Sequence, residues 1–197
     1  MTTISGQSGG WRVVDIVVAA VIAAAFGIVF LAWNALYAAT VPIFAFLPAA
    51  QAIMYGIWLL PGVLVGLIVR RPGAAVFGGL VSAAVSVLLG SPYGIDALIS
   101  GAIQGAGAEL GFALGLYRRW TLPFAVVAGA LAGLFATAHD IPVYYPATSV
   151  DFWLVYGATS VVSGALVAGV GAWLLLRALV ATGTLREFAA GREQREI

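Results

Sequence analysis

Gly101–Gly115, GAIQGAGAELGFALG, is the stretch that decides how this chain is read. Apart from Gln104 and Glu109, every residue in it is glycine or apolar, and Glu109 is the only charge between Asp96 and Arg118. A helix of this composition has no polar face to turn toward water, so it belongs in a hydrocarbon environment. It raises one question: what holds a carboxylate there?

The rest of the chain supports the membrane reading. Its 197 residues are 62% hydrophobic and 9% charged, where a soluble domain carries about 25% charged residues. Apolar runs appear at about 13–36, 53–69, 73–90, 95–117, 121–138 and 152–176. They predict an all-α integral membrane protein with six transmembrane helices in one domain over 1–180, then a charged cytoplasmic tail over 181–197. The first run follows the polar leader MTTISGQSGGWR; it is too long for a signal-peptide core and is expected to be retained. Prolines mark the seams between runs, except Pro61, which is expected to kink the second helix.

Charge placement orients these spans. All nine basic residues are arginines: Arg12, Arg70, Arg71, Arg118, Arg119, Arg177, Arg186, Arg192 and Arg195. Six spans with both termini cytoplasmic place every arginine on the inner side, in keeping with the positive-inside rule. The outer segments, about 37–52, 91–95 and 139–151, have none, and Asp96, Asp140 and Asp151 lie on that side. Such a face favours cations. The expected location is the plasma membrane, crossed several times.

Composition also excludes chemistry. Without cysteine there is no disulfide or thiolate metal site. Without lysine there is no Walker A loop, so any ATP-driven work must come from partner subunits. The one histidine cannot build a zinc centre with the ligands at hand, and neither HExxH nor GxSxG occurs. No catalytic residue, metal site, cofactor or nucleic-acid partner is expected, and the chain is not read as an enzyme.

Glu109 is the first candidate site residue. An ionised acid near the bilayer centre costs a few kcal/mol on the lenient insertion scale, so such residues face a cavity, a partner or a substrate. Thirteen helical steps from Asp96 put it roughly 20 Å deep. A ligand contact, a protonated acid bonded to another helix and a proton relay all remain open on the residues alone. Gln104 offers a donor and an acceptor to a ligand or to a neighbouring helix. The series Gly101/Gly105 and Gly107/Gly111/Gly115 lets helices approach closely. Trp33, Asn34, Tyr37, Tyr93, His139, Asp140, Tyr144, Tyr145 and Trp153 gather toward the outer face. There they form either an interfacial belt or a stacking site for a cationic heteroaromatic ligand. On the first helix Ala19, Ala23 and Gly27, with Ala20 and Ala24 alongside, make a small-residue stripe suited to internal packing or to a partner subunit.

Taken in order, this stripe, RRPGAAVFGGLVSAAVSVLLGSPYG (Arg70–Gly94) and GAIQGAGAELGFAL (Gly101–Leu114) resemble the YkoE-type S components of energy-coupling-factor (ECF) vitamin transporters, over about residues 11–180. The resemblance implies an ECF S-component-like bundle binding thiamine, or its hydroxymethylpyrimidine precursor, in an outward-facing pocket. It implies partners as well: a transmembrane coupling subunit docked on Ala19/Ala23 and Ala20/Ala24, and two ATPase subunits. In that setting Glu109 would meet the aminopyrimidine with Gln104 nearby. Asp140 would offset the thiazolium, Trp33, Tyr37 and Tyr144 would stack, and Asn34 and His139 would complete the ligand contacts. A stand-alone proton-coupled carrier with Glu109 as its proton site is the competing reading.

Overall fold

The computed structural model describes residues 10–185 and 188–192, and among them all regular structure is helical. In chain order these are α1 (Val13–Thr40), a 3-10 segment (Pro48–Met54), α2 (Gly56–Val69), α3 (Ala74–Leu88), α4 (Asp96–Leu114) and α5 (Leu122–Tyr144). Then follow α6 (Val150–Ser163), a π-helical segment (Gly164–Val170), α7 (Gly171–Ala181) and the single turn α8 (Ala189–Arg192). Among the described residues five spans are long and apolar enough to cross a membrane; α3, at 15 residues, is the shorter apolar sixth.

Two boundaries differ from the sequence expectation, each for a local reason. The second span is lengthened to Pro48–Val69 because Pro48 starts a 3-10 segment that feeds into α2. A proline suits the first turn of a helix, where its missing N–H has no partner to lose. The fifth helix does not stop at residue 138 but runs through Pro142 to Tyr144. His139 and Asp140, expected in an outer loop, are therefore helical and buried, at 8% and 1% exposure.

Glycine and alanine set the spacing of the bundle. A Cβ placed on Gly79 would lie 2.5 Å from the Gly101 carbonyl oxygen, and one on Gly105 would lie 2.8 Å from the Val76 Cα, so α3 and α4 meet backbone to backbone. Gly107 and Gly111 bring α4 equally close to Leu131 and Ala128 of α5. Gly129 of α5 and Gly164 of the π segment touch so closely that a Cβ on either would lie 2.1 Å from the other's carbonyl oxygen. In a bilayer, where lipid tails are as apolar as leucine, this close packing replaces the hydrophobic effect as the force between helices.

The same packing consumes half of the small-residue stripe on α1. Ala19 and Ala23 are fully buried, Ala19 against Val65, Val69 and Ala74, and Gly27 faces Val85 and Ser82 of α3. That face of α1 is closed by this chain itself, which corrects the expectation that Ala19 and Ala23 present a docking surface. Ala20 and Ala24 are only partly covered.

The tail also departs from expectation. Leu185, Phe188 and Ala190 fold back into the main core, with the Arg12 guanidinium 5.9 Å from the Phe188 ring. Arg186, Arg195 and the Arg192 side chain lie outside the described residues. The arginine-bearing helix ends collect at one end of the bundle. There the Trp11 indole donates to the Pro72 carbonyl oxygen at 3.1 Å, and Arg70 lies 5.9 Å from the Trp120 ring. At this end Asp15, an acid the charge pattern left out of account, is 1% exposed and bonds the Arg12 guanidinium at 2.8 Å. Asp96, Asp140 and the tyrosines other than Tyr117 occupy the opposite end.

Candidate functional site

Between α1, α2, α3 and α4, at the acidic end, lies a cleft whose empty space, the open solvent at its mouth included, is about 540 Å³. Phe30 and Asn34 of α1 form one wall. Tyr55 and Trp58, one turn apart around the start of α2, form the next. Gly79, Ala83 and Ser86 of α3 and Ala97, Ser100, Gly101 and Gln104 of α4 make the third, where missing side chains leave the space. Ser91 and Tyr93 of the α3–α4 turn and Tyr144 at the end of α5 close the rim.

The aromatic wall is held by edge-to-face contacts. Trp58 sits 5.0 Å from Tyr37, 5.1 Å from Tyr55 and 6.2 Å from Tyr93, ring centre to ring centre, and Tyr93 sits 6.3 Å from Tyr144. The Trp58 indole donates to Asn34 Oδ1 at 3.0 Å, which fixes both side chains. Gln104 Nε2 donates to Ser100 Oγ at 2.5 Å and turns the amide oxygen free of that bond. Burial pushes the Tyr93 phenol up to about 12, with Tyr145 and Asp140 adding to the effect, so this rim hydroxyl stays a neutral donor.

Behind the wall runs a chain of charged and phenolic groups. Asp140 Oδ2 accepts from the hydroxyls of Tyr55 and Tyr156, the latter at 2.6 Å, while Asp140 Oδ1 lies 2.9 Å from His139 Nδ1. His139 Nε2 lies 3.3 Å from Asp96 Oδ1, and Asp96 Oδ2 accepts from the Tyr144 hydroxyl. Both imidazole nitrogens thus face carboxylates, and neither is left for a metal. Among the described residues no group of three or more His, Cys, Asp or Glu side chains gathers to hold a metal ion.

The sequence-predicted residues therefore separate into three groups. Asn34, Gln104 and Tyr144 line the cleft. His139, Asp140 and Tyr37 stand directly behind its lining, and Trp33 is turned to the Met54 carbonyl oxygen at 3.1 Å. Glu109 is elsewhere. Its Oε1 accepts from the Gly73 N–H at 2.7 Å and its Oε2 from the Ala75 N–H at 2.9 Å. Gly73 is in the left-handed region at φ 85°, and the start of α3 has no capping side chain of its own. The carboxylate supplies what a local Ser, Thr, Asp or Asn would, to a helix end that carries partial positive charge. In the turn after α4 burial pushes the Tyr117 phenol up to about 12, and a hydrogen bond to Glu109 adds to that. Five residues from Gln104, Glu109 lies about 7.5 Å along α4 and about 140° around it, away from the residues that line the cleft.

Tyr55, Trp58, Phe30 and Tyr156 were not picked out from the sequence. Tyr55 and Trp58 stand three apart in IMYGIWLLPG, hence on one face of the span. Two amphipathic rings on one face, in a run otherwise apolar, were the available signal.

Three comparisons bear on identity. A family model described as "ABC-type cobalt transport system, permease component" matches residues 14–135, more than half of the chain. YkoE of Bacillus subtilis (strain 168), which carries the name HMP/thiamine permease protein, is 33% identical over 184 residues, covering 93% of this chain and 92% of that one. A crystal structure of an S-component of an ECF transporter superposes with a TM-score of 0.90 at 31% identity, over 95% of this chain and 94% of that one. The chain belongs to the YkoE-type S components of ECF transporters: it is a multi-pass plasma-membrane transport subunit and not an enzyme.

Proposed function

We propose that this subunit captures thiamine in the cleft between α1 and α4 and delivers it to an ATP-driven importer. The observation that carries the reading is the lining of the cleft itself, walled by Phe30, Tyr55, Trp58, Tyr93 and Tyr144. Flat aromatic faces suit a flat cationic heterocycle, through stacking and cation–π attraction. Asn34, Gln104 and the serines 86, 91 and 100 supply the few polar groups that orient such a ligand. The name carried by the Bacillus relative, HMP/thiamine permease, supports the same chemistry. Both imidazole nitrogens are engaged by carboxylates, which speaks for an organic substrate over a metal ion.

In this reading the arginine-rich end faces the cytoplasm and the cleft opens outward. Without a nucleotide-binding loop of its own, the chain relies on a coupling subunit and ATPase subunits for energy. Of the four α1 alanines only the half-covered Ala20 and Ala24 remain for such a partner, since Ala19 and Ala23 are closed internally. Glu109, tied to two backbone amides, serves the fold and not proton coupling.

The test is uptake of labelled thiamine into vesicles carrying this chain alone or with its coupling and ATPase subunits. Accumulation that requires the full set and ATP is expected. Accumulation by the chain alone under a pH gradient would overturn the reading.

A further inference from the structure

The cleft has an aromatic lining but no carboxylate among its wall residues; the acids stand one layer back. Asp140 is 1% exposed and is reached only through other side chains. Tyr55, whose ring lines the cleft, donates its hydroxyl to Asp140. On the opposite rim Tyr144 donates its hydroxyl to Asp96. His139 lies between the two carboxylates, Nδ1 at 2.9 Å from Asp140 and Nε2 at 3.3 Å from Asp96.

Three physical consequences follow. A phenol that donates to a carboxylate gains electron density, so the negative face of its ring strengthens and holds a cation better. The cluster sets two carboxyl groups against one imidazole, so its acids outnumber its base, and the low dielectric around the buried Asp140 lets its charge act across the lining. Because Asp140 is buried behind Tyr55, and Asp96, partly exposed, stands outside the lining with Tyr144 in front of it, neither acid pairs directly with the ligand or selects among its hydrogen-bonding groups.

We propose that Asp140 and Asp96 are charge-selecting residues that act through Tyr55 and Tyr144 without touching the substrate, so that the cleft discriminates a cationic heteroaromatic ring from a neutral ring of the same shape. This deepens the thiamine reading and rests on it. Asp140 and Asp96 are positioning residues in this scheme, and their signature is selectivity rather than affinity alone.

The experiment compares two ligands of one shape, thiamine and its neutral thiophene isostere, by titration of the purified full chain in detergent. The wild type is expected to prefer thiamine. Asp140→Asn is expected to weaken thiamine at least tenfold and the isostere less than threefold. Tyr55→Phe and Tyr144→Phe, which keep the rings and lose the hydroxyls, are expected to narrow the preference in the same direction, and they carry the test if Asp140→Asn does not fold. Equal losses for both ligands in these variants would mean that the cluster only shapes the wall, and the inference is then wrong. A wild type that binds thiamine and its isostere equally also overturns it while leaving the thiamine reading intact. A wild type that binds neither overturns the thiamine reading, and this inference with it.

Discussion

Replacing Glu109 separates a structural account of this residue from a ligand-binding one. Its two oxygens accept from the N–H groups of Gly73 and Ala75, at a helix start with no other cap. Hydrogen bonds to a charged group contribute about 1.5–3 kcal/mol each in buried settings, and the favourable helix-end charge adds about 0.3–1 kcal/mol. Glu109 is only partly buried and its bond to Gly73 is exposed, so solvent screening discounts both bonds below the buried range, and Glu109→Ala is expected to cost about 2–3 kcal/mol. For a chain of this size that is a fall in melting temperature of about 4–12 °C. Glu109→Gln keeps an acceptor and loses the charge, so about 1 kcal/mol is expected. Thermal unfolding in detergent reads the stability, and a thiamine titration on the same sample reads the site. Affinity should stay within threefold of wild type in both variants. A tenfold loss of affinity with an unchanged melting temperature would refute the capping role.

Other substitutions test the remaining elements. Trp58→Ala removes the ring that Tyr37, Tyr55 and Tyr93 pack against and the donor to Asn34; thiamine affinity should fall by about 30-fold or more, matching about 2 kcal/mol or more, as read by calorimetry. Gln104→Ala, at the cleft but bonded only to Ser100 in its own helix, should weaken binding several-fold while leaving the melting temperature within 2 °C or so. Gly129→Ala drives a methyl into the Gly164 carbonyl oxygen and should destabilise by about 1–3 kcal/mol, seen as earlier aggregation on heating. Phe188→Ala, by emptying a buried site of the returning tail, should cost about 3 kcal/mol; a melting curve identical to wild type would show that the tail does not dock.

Much of the fold was legible because the membrane imposes simple rules. Twenty-residue apolar runs and one-sided arginines sufficed to count the helices and to put Asp96 and Asp140 at the opposite end. Helix ends were harder. Pro142 reads as a stop, yet α5 passes through it, and nothing local in sequence shows that His139 and Asp140 will be covered by Tyr156 and Asp96. The Ala19/Ala23/Gly27 stripe was correctly seen as a contact face, but a stripe does not say whose helix it meets. Glu109 was partly legible. Antiparallel contacts of Gly79 with Gly105 and of Ala83 with Gly101 set the α3–α4 register, and one more turn in that register brings Glu109 opposite Ala75. The uncapped start of α3 after RRPG was the local sign that a carboxylate from elsewhere was needed. What no spacing conveys is the depth of a side chain behind a wall, which decides whether Asp140 touches a ligand or only Tyr55.

The central claim is that the α1–α4 cleft, and not the neighbourhood of Glu109, holds thiamine. Native mass spectrometry of the chain purified from thiamine-fed cells tests it most directly. The account predicts a one-to-one thiamine adduct that survives Glu109→Gln and is lost with Trp58→Ala. An adduct that persists in Trp58→Ala and disappears in Glu109→Gln would contradict it.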